Sequence, residues 1–281
     1  MIMNHNIAAL SAYRNLTYNY GMMNRAMERL SSGLRINRAA DDAAGLAISE
    51  KMRAQIRGLE MAEKNALDAI SLLQTAEGAL GETHSILHRI RELSIQAAND
   101  TYMTEVDRQA MQEEVNALLD ELDAITGRTE FNTQKLLDGS FTDKKFHIGA
   151  NTGQNISFSI NDMGVDALGL GHLRADATGT SGGILTQEEA NDAMDVLDKA
   201  INNVSRERAR IGATQNRLEH TMNNLSTMRI NVTSAESRIR DADIAKEMME
   251  FVKYSMLTQV GQIVLAQANQ VQQGMLQLLR G

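Results

Sequence analysis

A mainly α-helical fold is predicted by three features of the chain: no proline in 281 residues, long apolar stripes at alternating steps of three and four, and a single stretch that alternates in twos. Proline breaks helix interiors, and ordinary usage of about 5% would place roughly fourteen here. The expected architecture is a long antiparallel coiled-coil helical rod with a small β-hairpin region, its terminal helices pairing into an inner helical layer. Apolar residues make up 43% of the chain but aromatics only 4%, and Trp is absent. Large rings usually fill a wide core, so this core should be thin.

Ile7, Leu10, Tyr13, Leu16, Tyr20, Met23, Met27 and Leu30 form the first helical stripe, which Gly33 ends as a C-cap or turn residue. A second helix should begin at Asp41 or Asp42. Adjacent carboxylates on a helix point about a hundred degrees apart, so this pair neither shares a proton nor chelates one ion from that helix. At a helix start, by contrast, a carboxylate accepts from free N–H groups and meets the positive end of the dipole. Both are therefore read as helix caps. Ala43, Ala44, Gly45 and Ala47 would let another helix approach closely, with Arg35 and Arg38 able to pair with the acids.

Met52, Ile56, Leu59, Ala66, Ile70, Leu73, Leu80 and Leu87 carry the stripe on to about Ala98, with Glu63, Glu77 and His84 at some seam positions. Such a helix is far longer than the roughly 10–14 residues typical of globular proteins. "ANDTYMT" at 98–104 breaks it. Met111, Val115, Leu118, Leu122 and Ile125 mark a third helix, closed by Gly127.

Periodicity then changes to two. Phe146 and Ile148, followed by Ile156, Phe158 and Ile160, flank the turn-rich "GANTGQN" and predict a hairpin with a long loop. Residues 161–183, rich in Gly, Asp and Thr, are expected to be loop. Thr186 before "QEE" has the pattern of a helix N-cap with acids in the first turn. From Met194 to Ile239 come seven heptads, with Arg208, Gln215, Arg229 and Glu236 among the seam residues. "RDAD" at 240–243 could nick that helix before a last segment, Ile244 to Leu279, whose wide apolar face requires a partner.

The expected organisation is an N-terminal helix of an inner domain over 1–40, the N-terminal half of a rod over 41–130, a hairpin and loop region over 131–185, the C-terminal half of the rod over 186–242, and a C-terminal inner helix over 243–281. The terminal helices, each with a broad apolar stripe and no partner of their own, are expected to fold only on assembly.

Composition and motifs narrow the chemistry. A net charge of -8 opposes a phosphate-driven nucleic-acid binder. Zero cysteines remove disulfides, thiolate metal sites and cysteine nucleophiles. The start lacks a basic region followed by an apolar one, and no run reaches 18 apolar residues, so neither an ordinary secretion signal nor a membrane span is expected. His84 and His88 have the i,i+4 spacing of a zinc site, but the glutamate of H-E-x-x-H and a third ligand are missing. Gly169 and Gly171 in "LGLGH" lack the strand-turn-helix setting of a phosphate loop. No serine sits in G-x-S-x-G. The expectation is a chain that is not an enzyme and uses no cofactor or metal.

A specific resemblance is carried by "MIMNHNIAAL" at 1–10, by 29–100 beginning "RLSSGLRINRAADDAAGLAISEKMR", and by "RTEFNTQKLLDGSF" at 128–141. "GATQNRLEHTMNNL" at 212–225, "AESRIRDADIAKEM" at 235–248 and "LAQANQVQQGMLQLLR" at 265–280 carry it further. These stretches resemble bacterial flagellin over nearly the whole chain except about 161–185, where flagellins often hold variable outer domains. Gln272 and Gly281 depart from the usual tail. The resemblance implies a structural subunit that self-assembles into the helical filament of the flagellum for motility. It also implies export by the flagellar secretion system to an extracellular filament, with an export chaperone, a cap protein and hook-filament junction proteins as partners. Inner-layer assembly would then rest on Ile7, Leu10, Leu16, Met23, Met27, Leu30, Val260, Val264, Val271 and Leu278. In flagellins sensed by a host Toll-like receptor, recognition is carried by residues matching Arg89, Leu93 and Glu114. Competing readings are a related hook-filament junction protein and a coiled-coil scaffold of fixed small oligomer.

Overall fold

A computed structural model of the chain describes residues 6–99, 105–175 and 182–278. Its elements run α1 (Ile7–Ser32), α2 (Ala43–Ala97), α3 (Glu105–Arg128), β1 (Glu130–Phe131), β2 (Gln134–Lys135), β3 (Lys144–His147), β4 (Asn155–Phe158), a 3-10 turn at Gly171–Leu173, α4 (Gln187–Arg240) and α5 (Ile244–Leu278). By its contacts the chain divides into two compact units, Met1–Ile56 with Ile230–Gly281 and Arg57–Arg229. These divisions fall inside α2 and α4, whereas the sequence places its boundaries at 40/41 and 242/243, where helices end.

In the unit Arg57–Arg229 the heptad pattern is literal. Leu59, Ala66, Leu73, Leu80 and Leu87 on α2, and Leu197, Val204, Ile211, Leu218 and Leu225 on α4, recur every seven residues, and all are buried. The intervening seam row is polar in places. Glu63 accepts from Arg229 Nε at 3.2 Å, and Glu77 accepts from Gln215 Nε2 at 3.1 Å. On α2 the partner's number rises as it falls on α4, so the pairs fix an antiparallel register, the specificity role that polar seam residues serve in coiled coils.

Helix α3 adds Met111, Val115, Leu119 and Leu122 to the same core. Beyond it the structure corrects the hairpin-only expectation: β1 and β2 form a second antiparallel pair, with Glu130 opposite Lys135 and Phe131 opposite Gln134. Their two-residue turn is Asn132–Thr133, both at positive φ of 49° and 64°. The expected hairpin is present as β3 paired antiparallel with β4, Phe146 opposite Ile156 and Lys144 opposite Phe158. Ile156, Phe158 and Ile160 are buried, while Phe146 and Ile148 pack half-buried against the same core.

In the segment expected to be loop, the described residues 161–175 and 182–183 have no regular element beyond the 3-10 turn, but they are not peripheral. Met163, Val165, Leu168, Leu170 and Leu173 are buried in the core. Gln112 on α3 donates to the Leu173 carbonyl at 2.9 Å and accepts from the Ile184 amide at 2.7 Å, and Asp123 accepts from the Val165 amide at 3.1 Å. Asn161 donates to buried Glu207 of α4 at 3.1 Å. Residues 161–175 thus cover the core as irregular chain with a single 3-10 turn. Thr186 and Glu189 close a reciprocal capping box at the start of α4: the Glu189 amide donates to Thr186 Oγ1 at 3.2 Å and the Thr186 amide to Glu189 Oε2 at 3.1 Å.

Candidate functional site

In the other unit, α1 and α5 lie antiparallel. Asn6 Nδ2 donates to the Ala268 carbonyl at 3.1 Å, Gln262 Nε2 to Tyr20 Oη at 2.7 Å, and Arg29 Nη1 to Glu247 Oε1 at 3.3 Å. Gly261 makes the close approach possible, since a Cβ there would stand 3.1 Å from Leu16 Cδ1. Asn6 caps α1 by accepting from the Ala9 amide at 2.9 Å, and Gly33 ends it in the left-handed conformation at φ 70°. Asp243 caps α5 by accepting from the amides of Ala245 and Lys246. Between the helices the chain is stitched by Arg35 N to Arg240 O at 2.7 Å and Ala242 N to Gly33 O at 2.9 Å.

The residues assigned to inner-layer assembly split into two groups. Leu16 is buried, and Met23 and Leu30 are half-buried. Ile7, Leu10 and Met27 on α1, and Val260, Val264 and Val271 on α5, are exposed, Leu10 at 69% and Ile7 at 64%. The side chain of Leu278 lies outside the described side chains. Tyr13 and Tyr18 join Ile7, Leu10, Ser11, Arg14 and Thr17 around an open, mostly apolar groove of ≈ 640 Å³ on the outer side of α1. Pairing α1 with α5 therefore uses only part of each stripe.

Asp42 Oδ1 accepts from the Gly45 amide at 2.8 Å, the N-cap bond of α2. Asp41 does not cap that helix. Its Oδ2 accepts from the amides of Arg38 at 3.1 Å and Asn37 at 3.2 Å, closing the turn before α2, and these bonds, the one from Arg38 foremost, hold its carboxyl below the ordinary range. The space at Gly45 is filled by Asp42 and Ile36, and Ala43, Ala44 and Ala47 are exposed, so among the described residues no helix packs on them. Arg38 pairs with Glu28 at 2.9 Å, and Arg35 donates to the Ile239 carbonyl; neither pairs with the aspartates.

Arg89 and Glu114 meet across α2 and α3, Nε to Oε1 at 2.8 Å, with Glu92 3.3 Å from the same guanidinium. These hydrogen bonds, Glu114's foremost, raise the Arg89 pKa above its ordinary value. Both partners are about half exposed. Leu93 departs from the expectation of a surface anchor: it is 2% exposed and belongs to the core between the helices. One helical turn earlier, His84 and His88 stand with their Nε2 atoms 3.0 Å apart. Burial first, then the neighbouring His88 and Arg208 charges, push His84 below its ordinary pKa.

Among the described residues no helix is long and apolar enough to cross a membrane, and no group of three or more His, Cys, Asp or Glu side chains is placed to hold a metal ion. Comparison with known proteins decides the family. The model of the bacterial flagellin N-terminal helical region matches residues 3–142, and that of the C-terminal helical region matches 194–279. The chain belongs to the bacterial flagellin family. It is 54% identical to flagellin of Bacillus subtilis (strain 168) and 50% identical to flagellin of Halalkalibacterium halodurans, in each case over all of both chains. A solved structure titled as a putative flagellar hook-associated protein from Vibrio parahaemolyticus shares the fold at a TM-score of 0.58 and 16% identity, covering 72% of this chain and all of that one. At that identity the likeness speaks for the fold alone, and the full-length flagellin matches favour the filament subunit over a junction protein. This flagellin is a structural subunit of the flagellar filament. The two matched regions bracket residues 143–193, which hold β3, β4 and the compact segment that follows them.

Proposed function

We propose that the exposed apolar faces of α1 and α5 are the surface through which copies of this chain polymerise, and that they become the inner layer of the filament. The observation that carries this reading is that Ile7, Leu10, Tyr13 and Tyr18 on α1 and Val260, Val264 and Val271 on α5 are exposed although the two helices already pack together. Large apolar side chains left exposed together mark an interface, and burying one such side chain is worth about 1.5–3 kcal/mol. Leu10→Glu and Val264→Glu test it. The wild-type chain at neutral pH should give tubular filaments by electron microscopy, and either variant should stay monomeric with the same helix content by circular dichroism. Filaments formed equally well by both variants would overturn the assignment.

The same reading carries an extracellular location reached through the flagellar secretion system, assisted by an export chaperone and completed by cap and hook-filament junction proteins. It involves no catalysis. The half-exposed Arg89–Glu114 pair is the part of the carried-over receptor patch that a host Toll-like receptor could touch directly. Leu93 would contribute by holding α2 against α3 beneath that pair.

A further inference from the structure

The His84–His88 pair plays no part in subunit assembly as described above, and its geometry is that of a two-imidazole clamp. The Nε2 atoms are 3.0 Å apart and the ring centroids 4.5 Å, with the rings steeply inclined at 78°, so the rings converge toward their Nε2 ends. Two metal–nitrogen bonds of about 2.0–2.1 Å meeting near a right angle span about 3 Å, whereas the tetrahedral angle of zinc opens the span by several tenths of an ångström. From this we propose that His84 and His88 form a binding site for a divalent transition cation that favours right-angled coordination, Ni²⁺ or Cu²⁺, held by the two Nε2 atoms with water in the remaining positions.

Three observations bear on the site. The residues are one helical turn apart on α2, so the backbone holds both rings on one face. His88 is exposed, which leaves an entry path and room for water ligands. His84 Nδ1 is buried and has no hydrogen-bond partner among the described residues. The Nε2 atoms share one hydrogen bond at 3.0 Å, its direction set by the tautomers, and a cation seated between them would replace the proton of that bond. Imidazole suits Ni²⁺ and Cu²⁺ and offers nothing to Mg²⁺ or Ca²⁺, which take oxygen ligands. The charged group facing the pair from α4 is Arg208, whose charge opposes a dication.

The experiment is titration of the untagged full chain with NiCl₂ by isothermal calorimetry, together with the electron paramagnetic resonance spectrum of the Cu²⁺-loaded chain. The expected result is one strong equivalent of Ni²⁺ and copper hyperfine structure from two nitrogens. His88→Gln and His84→Gln should each weaken Ni²⁺ binding by about tenfold or more, and His147→Gln should leave it unchanged. MgCl₂ should give no heat of binding. Equal Ni²⁺ uptake by the wild type and by the double variant H84Q/H88Q would overturn the proposal, as would a copper spectrum with no nitrogen coupling. His88 is exposed, so H88Q keeps the test independent of any packing defect in H84Q.

Discussion

Glu63, Glu77 and His84 occupy seam positions of α2 that an apolar stripe would leave to leucine, and their polarity is informative because α4 carries Arg229, Gln215 and Arg208 on the facing row. His84 adds a pH dependence. Because burial and two neighbouring charges depress its pKa below 6.5, the unfolded chain binds the proton first. Stability should therefore fall as pH drops below about 6.5 and level off once the folded-state pKa is passed. Thermal unfolding of wild type and His84→Gln across pH 7.5 to 5 checks this, and the variant should lose that part of the slope. Phe158, buried in the core beneath the Arg210 guanidinium, should cost about 3–5 kcal/mol when changed to Ala, read by chemical denaturation. Asp42→Ala should cost about 1 kcal/mol through loss of the N-cap bond to Gly45. Asp41→Ala should instead loosen the 37–41 turn, because that carboxylate bonds backward.

The long helices were legible in the sequence because their burial repeats every seven residues, and so were the caps at Gly33 and Thr186, whose chemistry is local. Three things were not. The β1–β2 pair has strands of two residues and turns through Asn132–Thr133 instead of the Asn-Gly that marks such hairpins. The segment 161–175 has no period at all, and its packing rests on tertiary bonds to Gln112, Asp123 and Glu207, which no local pattern announces. In the candidate site, the stripe of α1 predicted its apolar character but not that only Leu16 would be fully buried against α5, since a stripe does not say how much of it one neighbour covers. Likewise Leu93 fits an apolar surface anchor by motif and a core residue by burial. One element-scale test follows from Gly58, where a Cβ would come within 2.9 Å of Ala150 Cβ. Gly58→Leu should force the turn after β3 away from α2 and cost about 1–3 kcal/mol, measured by denaturation.

For the whole molecule the account separates a unit that holds its own core from one that leaves its apolar surface for other copies. Arg57–Arg229 buries a continuous cluster from α2, α3, both strand pairs and α4. In the other unit α1 buries only Leu16 and Ala26, while α5 leaves Val260, Ile263 and Val264 exposed. Helices owe most of their stability to tertiary packing, so α1 and α5 should open readily in a free subunit and be locked by neighbours in the filament. Amide hydrogen exchange on the same protein as dilute monomer and as filament tests this directly. Residues 7–32 and 244–271 should exchange fast in the monomer and slowly in the filament, with 191–229 protected in both. Equally slow exchange of the two end helices in dilute monomer would contradict the account, because their order would then come from within one chain and not from assembly.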